Sequence, residues 1–316
     1  MSATATRSVV PSGFLASLSR FWARSYIPDY LGLAAVLAAH TIQGFFFREP
    51  FHPQFTLDNP AIQHPHALHE RVPVLWLFIC AGGIPLGALI LWAVLFRPGW
   101  HKVHVTILGF FISVMVTSLI TDIIKNAIGR PRPDLIDRCK PQLGTPGHTL
   151  LDFDVCTETN HHTLNDGFRS FPSGHSSFSF AGLGYLSFFL TSQLRALHPR
   201  VDLFRIFVAF TPLVGAALIA LSRYEDYRHD PYDITAGSLL GFLLAFGSWR
   251  RYYPSLRSQH CNTPYPTRDA EFRKEEEWHH KRRDEEEMVG SSREFEIGDD
   301  QASEELPLTH IRSREE

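Results

Sequence analysis

Uncharged apolar runs alternate with polar connections along most of the chain. Six stretches contain no Asp, Glu, Lys or Arg: residues 31–47, 72–96, 103–121, 170–194, 206–222 and 234–249. Leu, Ile, Val, Phe and Ala dominate all six. The two longest have 25 residues, and as helix each extends about 37 Å against a hydrocarbon core of about 30 Å. They can cross a bilayer with tilt. The shorter runs reach that length by drawing in flanking residues. Residues 31–47 are the most interrupted, by His40, Thr41 and Gln43. No internal repeat is present. The pattern predicts an all-α, six-span transmembrane helical bundle over residues 28–249.

Average composition hides this. The 316 residues are 44% hydrophobic and 20% charged with a net charge of −3, values ordinary for a soluble protein. Residues 250–316, however, hold 29 of the 63 charged side chains, so the rest is charge-poor, as an integral membrane protein should be. Near-neutral charge gives no basic footprint for nucleic acid. The segment 250–316 alternates acidic and basic blocks and reads as a solvated cytosolic tail, either a charged helix or disordered chain. Arg250 and Arg251 at its start are expected to snorkel or to meet anionic lipid. Residues 1–27 show no secretory leader; Phe14, Leu18 and Phe21 recur at helical spacing, which fits an interfacial helix as well as an unstructured N-terminal segment.

The connections set the topology. One set of flanks carries Arg20, Arg24, Arg97, Lys102, Arg195, Arg200, Arg205, Arg250 and Arg251 against only Asp29 and Asp202, and is therefore cytosolic. The opposite short connections are acidic. Both termini fall on the cytosolic side. Residues 122–169 form one long connection on the other side, a length that predicts a functional or partly structured loop. It contains Cys139 and Cys156, which an oxidising lumen would allow to pair, although spacing alone does not place their Cα atoms within range. Cys80 and Cys261 should stay reduced.

Three polar clusters sit where the runs meet the non-cytosolic face: Lys125 to Pro133, Pro172 to His175, and Ser222 to Asp233. They gather one Lys, two Arg, two His and one Asp at one depth, where ionisable groups are costly unless paired or used. The cations suit a tetrahedral polyanion, since an Arg fork matches phosphate oxygens and Lys adds a compact charge. Pro172 interrupts the preceding chain, Ser173 caps the next helix, and Gly174 permits close approach of an oxyanion. Asp230 followed by Pro231 reads as a second cap, with His229 just outside that helix and Asp233 in its first turn.

In combination the clusters spell K-x6-R-P, P-S-G-H and S-R-x5-H-x3-D. With these motifs the sequence resembles the type 2 phosphatidic acid phosphatase superfamily, the lipid phosphate phosphatases, including those that act on diacylglycerol pyrophosphate; vanadium haloperoxidases share their site. The resemblance covers roughly residues 72–249. It implies a membrane-embedded hydrolase that removes phosphate from phosphatidic acid, lysophosphatidic acid or diacylglycerol pyrophosphate. In that scheme His229, oriented by Asp233, is the nucleophile and forms a phosphohistidine, and His175 protonates the leaving oxygen. Lys125, Arg132, Arg223, Ser173 and Gly174 bind the phosphate, with no metal or cofactor. Arg130, which the signature leaves unspecified, would be a further phosphate or headgroup contact or a surface charge.

Other readings stay open: a lipid phosphotransferase using the same intermediate, a membrane transporter, or a silent signalling relative. His148, His161 and His162 read as a solvated loop rather than a zinc site. Phe168, Phe171, Phe178 and Phe180 are expected to pack helices or meet acyl chains. Vacuole, Golgi, endoplasmic reticulum and plasma membrane all suit the sequence.

Overall fold

The computed structural model describes residues 25–46, 49–267, 270, 273–275, 277–286 and 288. The interfacial helix expected over Phe14–Phe21 and most of the charged tail lie outside these. The chain divides into two units, Ile27–Tyr265 and a second made of Met1–Tyr26 with Pro266–Glu316. In the second, a described helical stretch carries the exposed pairs His280–Asp284 (2.8 Å) and Arg282–Glu286 (3.3 Å), both at i,i+4 spacing.

The first unit contains eight helices among its described residues: α1 (Ile27–Phe46), α2 (Val74–Phe96), α3 (Trp100–Ile128), α4 (Leu135–Cys139), α5 (His161–Gly167), α6 (Gly174–Gln193), α7 (Leu203–Glu225) and α8 (Pro231–Tyr252). Of the described helices, α2, α3 and α7 are long and apolar enough to cross a membrane. The other long ones have 20 to 22 residues, about 30 Å at helical rise, and α6 and α8 are more polar. For α6 the reason is burial. It packs against α2, α3, α7 and α8, and its hydroxyls bond to those neighbours: Ser187 donates to the Ala209 carbonyl (2.7 Å) and Tyr185 to the Thr106 carbonyl (2.8 Å).

Small residues allow this central position. Pro85 supplies no N–H, and α2 widens before it into a π turn over Phe78–Gly83. There a Cβ on Gly182 of α6 would lie 1.8 Å from the Ala81 carbonyl oxygen. On the other side of α6, a Cβ on Gly241 of α8 would lie 2.1 Å from the Ser177 carbonyl oxygen, and one on Gly237 2.5 Å from that of Ser173. Gly237, Gly241 and Ala245 thus form a small-residue seam of the kind that joins helices in membranes.

Charge gaps located the long helices but not their ends. α3 continues past Asp122 to Ile128, where Gly129, at φ +62°, closes it and donates its amide to the Lys125 carbonyl. α7 likewise runs on through Arg223 to Glu225. At the other end the tail begins later than the charge pattern suggests. Tyr253 and Cys261 are buried, Ser192 donates to the Cys261 carbonyl (2.7 Å), and the Tyr265 amide returns to the Tyr252 carbonyl (2.9 Å). Arg250 and Arg251 have protein partners at this end. Arg250 donates to the Tyr253 carbonyl (2.6 Å), and Arg251 pairs with Asp29 of α1.

The long connection is structured. Cys139 and Cys156 form a disulfide with Cα atoms 4.6 Å apart. A small core of Phe55, Ile62, Leu135, Cys139, Leu164 and Phe168 joins this connection to residues 49–73, which lead into α2. Phe168 thus packs in the loop layer rather than against the long helices. Phe178 meets Phe78 edge-on in the bundle.

Candidate active site

The three clusters converge where α3 and α7 end and α6 and α8 begin. The N-terminus of α6 is capped by Ser173, whose hydroxyl accepts from the Ser176 amide (3.4 Å). The Ser173 amide in turn donates to the Asp233 carbonyl (3.0 Å), which ties the start of α6 to the first turn of α8. That turn is itself fixed by a capping box: the Asp230 carboxylate accepts from the Asp233 amide (2.9 Å), and the Asp233 carboxylate accepts from the Asp230 amide (3.3 Å). His229 sits immediately before this cap.

Both imidazoles have one nitrogen committed. The Nδ1 of His229 lies 3.5 Å from the Ser170 hydroxyl and 3.6 Å from Asp233 Oδ2, which leaves Nε2 available. Burial pushes the His229 pKa well below the usual imidazole value, and Arg132, Lys125 and His175 nearby push it the same way. His175 Nε2 is 3.0 Å from the Val72 carbonyl; a carbonyl only accepts, so Nε2 carries the hydrogen and Nδ1 is the nitrogen left to exchange a proton.

The cations are buried and held by backbone and carboxylates. Lys125 donates to the Arg169 carbonyl (2.9 Å), and its stem passes Gly174, where a Cβ would lie 3.5 Å from Lys125 Cε. Arg132 donates through Nε to the Asp166 carbonyl and through Nη2 to the Asp166 carboxylate, both at 2.7 Å. Burial lowers its pKa to about 10, with Asp166 opposing the shift. Arg223, 1% exposed, reaches Glu70 (3.1 Å) and Asp226 (2.7 Å). Burial works against the charge on Asp166, yet Arg132, Arg138 and Arg228 overcome it and hold that carboxyl well below the usual carboxylate range.

All eight residues singled out in the sequence therefore lie in one cluster at one end of the bundle. Four others were not anticipated in their present places. Asp166 and Glu70 brace the arginines from connections with no recognisable motif. Ser170 lies in an uncharged run and so read as part of a span; it is fully buried and donates to Asp233 Oδ2. Arg130, its side chain 36% exposed, turns to the start of α8. Its guanidinium takes Asp233 Oδ1 (2.7 Å) and Asp230. Beyond the Asp166–Arg169 stretch a separate cavity of about 590 Å³ is lined by His40, Asp122, Asn126, His161 and His162 among others. The other loop histidine, His148, meets Asp58 on the surface.

A family profile described as the PAP2 superfamily matches residues 106–257. Diacylglycerol pyrophosphate phosphatase 1 of Saccharomyces cerevisiae is 45% identical over 67% of this chain and 74% of its own length. The chain belongs to the PAP2 superfamily. A probable diacylglycerol pyrophosphate phosphatase 1 of Schizosaccharomyces pombe is 41% identical over 78% of this chain and 87% of its own. Lipid phosphate phosphatase 2 of Arabidopsis thaliana is 33% identical over 73% and 79% respectively. No solved structure gives a significant match. The PAP2 match spans α6, α7 and α8 and nearly all of α3, and so takes in every motif residue of the cluster.

Proposed function

We propose that this chain is a membrane phosphatase that hydrolyses the phosphomonoester or pyrophosphate end of a lipid such as phosphatidic acid, lysophosphatidic acid or diacylglycerol pyrophosphate. One observation carries the reading: a buried imidazole, His229, with Nδ1 turned toward Ser170 and Asp233 and Nε2 left available, set beside Lys125 and Arg132. The names of its relatives support the same substrate class.

In the proposed reaction His229 Nε2 attacks phosphorus, and the bond from phosphorus to the lipid oxygen breaks. His175, protonated at Nδ1, gives that proton to the leaving oxygen. The N–P bond of the phosphohistidine then yields to a water whose proton returns to His175, and inorganic phosphate leaves. Lys125, Arg132, Arg223, Ser173 and the Gly174 amide stabilise the oxygens as charge builds. Arg132 and Arg223 exchange part of their bonding with Asp166 and Glu70 for the substrate phosphate. These fixed cations take the part of a divalent metal.

The same reading has six spans, α1, α2, α3, α6, α7 and α8, with both termini cytosolic and the site on the lumenal or extracellular face. The disulfide in the long connection supports an oxidising side. The decisive experiment is phosphate release from a panel of lipid phosphates by purified protein, with and without EDTA, beside His229→Ala. Release by wild type in EDTA and none by the variant is expected. Loss on chelation restored by magnesium sinks the mechanism, full activity of the variant sinks the nucleophile, and a labelled lipid product in place of phosphate makes the enzyme a transferase.

A further inference from the structure

His229 Nδ1 stands 3.6 Å from Asp233 Oδ2 and 3.5 Å from the Ser170 hydroxyl, which itself donates to Asp233 Oδ2. A hydroxyl that donates to the carboxylate keeps its lone pairs for the imidazole N–H. The contact runs from imidazole to hydroxyl to carboxylate.

The carboxylate is gripped on its other oxygen. Arg130 donates to Asp233 Oδ1 at 2.7 Å and to both oxygens of Asp230, at 3.3 Å for Oδ1. Arg130 and Ser170 are also joined through backbone, the Ser170 amide donating to the Arg130 carbonyl (3.0 Å). Beyond Gly129, where α3 stops, Arg130 reaches Asp230 and Asp233 at the start of α8 while Arg132 reaches Asp166.

We propose that Arg130 and Ser170 are positioning residues of the reaction: they clamp the two oxygens of Asp233 and, through Ser170, fix the ring and tautomer of His229 so that Nε2 points its lone pair at phosphorus. Neither touches the substrate. This rests on the phosphohistidine reading above and adds to it a set of groups outside the signature. Without the clamp the carboxylate keeps, among the described residues, only the hydrogen bond from the Asp230 amide (3.3 Å), and a small misplacement of a nucleophile is expensive in rate.

The test uses full-length protein purified in detergent and assayed with phosphatidic acid in mixed micelles. Arg130→Gln should lower kcat on the order of 10- to 100-fold, while KM and the inhibition constant of inorganic phosphate stay within about twofold. Arg130→Lys should recover part of the loss, and Ser170→Ala should fall between wild type and Arg130→Gln. In an Asp233→Asn background both changes should add almost nothing, because the group they act through is already disabled. A rise in KM and in the phosphate inhibition constant with kcat preserved would make Arg130 a phosphate ligand and overturn the proposal. So would wild-type kcat, or losses that multiply with Asp233→Asn. If Arg130→Gln does not fold, Ser170→Ala with and without Asp233→Asn decides by the same criteria. His229→Ala separates the two levels: its inactivity beside normal Arg130 and Ser170 variants removes the clamp alone, whereas its full activity removes the nucleophile.

Discussion

At the end of the bundle that carries His229, Arg130, Arg132, Arg138, Arg223 and Arg228 are all paired with carboxylates, chiefly Glu70, Asp134, Asp166, Asp226 and the Asp230–Asp233 turn. At the opposite end the buried contacts are mostly neutral. Tyr253 meets Thr106 through hydroxyls 2.7 Å apart, Trp249 and Tyr253 stack, and Ser248 donates to the Gly109 carbonyl. Buried ion pairs are poor stabilisers compared with apolar packing, because desolvation takes back most of the attraction. Two of these arginines, Arg132 and Arg223, are the ones proposed above to meet a phosphate. The neutral end shows what the same helices do when only packing is required.

The largest contrast between the ends is expected in turnover. His229→Ala should reduce phosphate release by at least about 10⁴-fold, whereas Tyr253→Phe should leave kcat within about twofold; comparable losses would mean that the ends are not functionally distinct. Asp166→Asn comes next. It leaves Arg132, Arg138 and Arg228 short of a shared partner and should destabilise the protein by about 3–5 kcal/mol, read as the denaturant midpoint in detergent. A change below about 1 kcal/mol would show that water screens this network.

Acid should separate the two ends without mutation. The Asp166 carboxyl is depressed in the folded protein by its arginines, so its contribution is complete above about pH 4 and is lost as pH falls below that through the depressed value. Amide protection, taken relative to the intrinsic exchange rate at each pH, should fall over residues 129–173 on acidification while residues 253–265 hold. Equal response at both ends contradicts the contrast. A smaller effect sharpens it from the packing side. Gly241→Ala forces α6 and α8 apart and should cost about 1–3 kcal/mol in a thermal melt. The smallest is Tyr253→Phe, about 0.6 kcal/mol in a membrane setting, and a loss several times larger would show that the hydroxyl contact at the neutral end is a main support of the fold.

Much of this arrangement could be read from residue order. The long helices follow charge gaps because lipid-facing surface excludes ions, and the caps at Ser173 and Asp230 follow from local backbone chemistry. Helix ends were misread where an ion is satisfied inside a helix, as Lys125 is by the Arg169 carbonyl; a charge gap cannot register that partner. The loop core escaped for a different reason. Phe55 and Ile62 meet Leu135 and Leu164 across a long stretch of chain, and no short pattern encodes the encounter. Ser170 and Arg130 were present in plain sight, but spacing alone does not say which of two nearby arginines faces a ligand and which faces a carboxylate.

The seam of Gly237, Gly241 and Ala245, with the Ser173–Asp233 bond at its head, makes α6 and α8 a single rigid piece carrying one histidine at the start of α6 and the other just ahead of α8. The two imidazoles are therefore held apart by a helix pair and not by the loops above them. Those loops still carry Asp166, which ties Arg132, Arg138 and Arg228 together, so a change in residues 134–168 that spares this carboxylate leaves the helix-borne frame as it is.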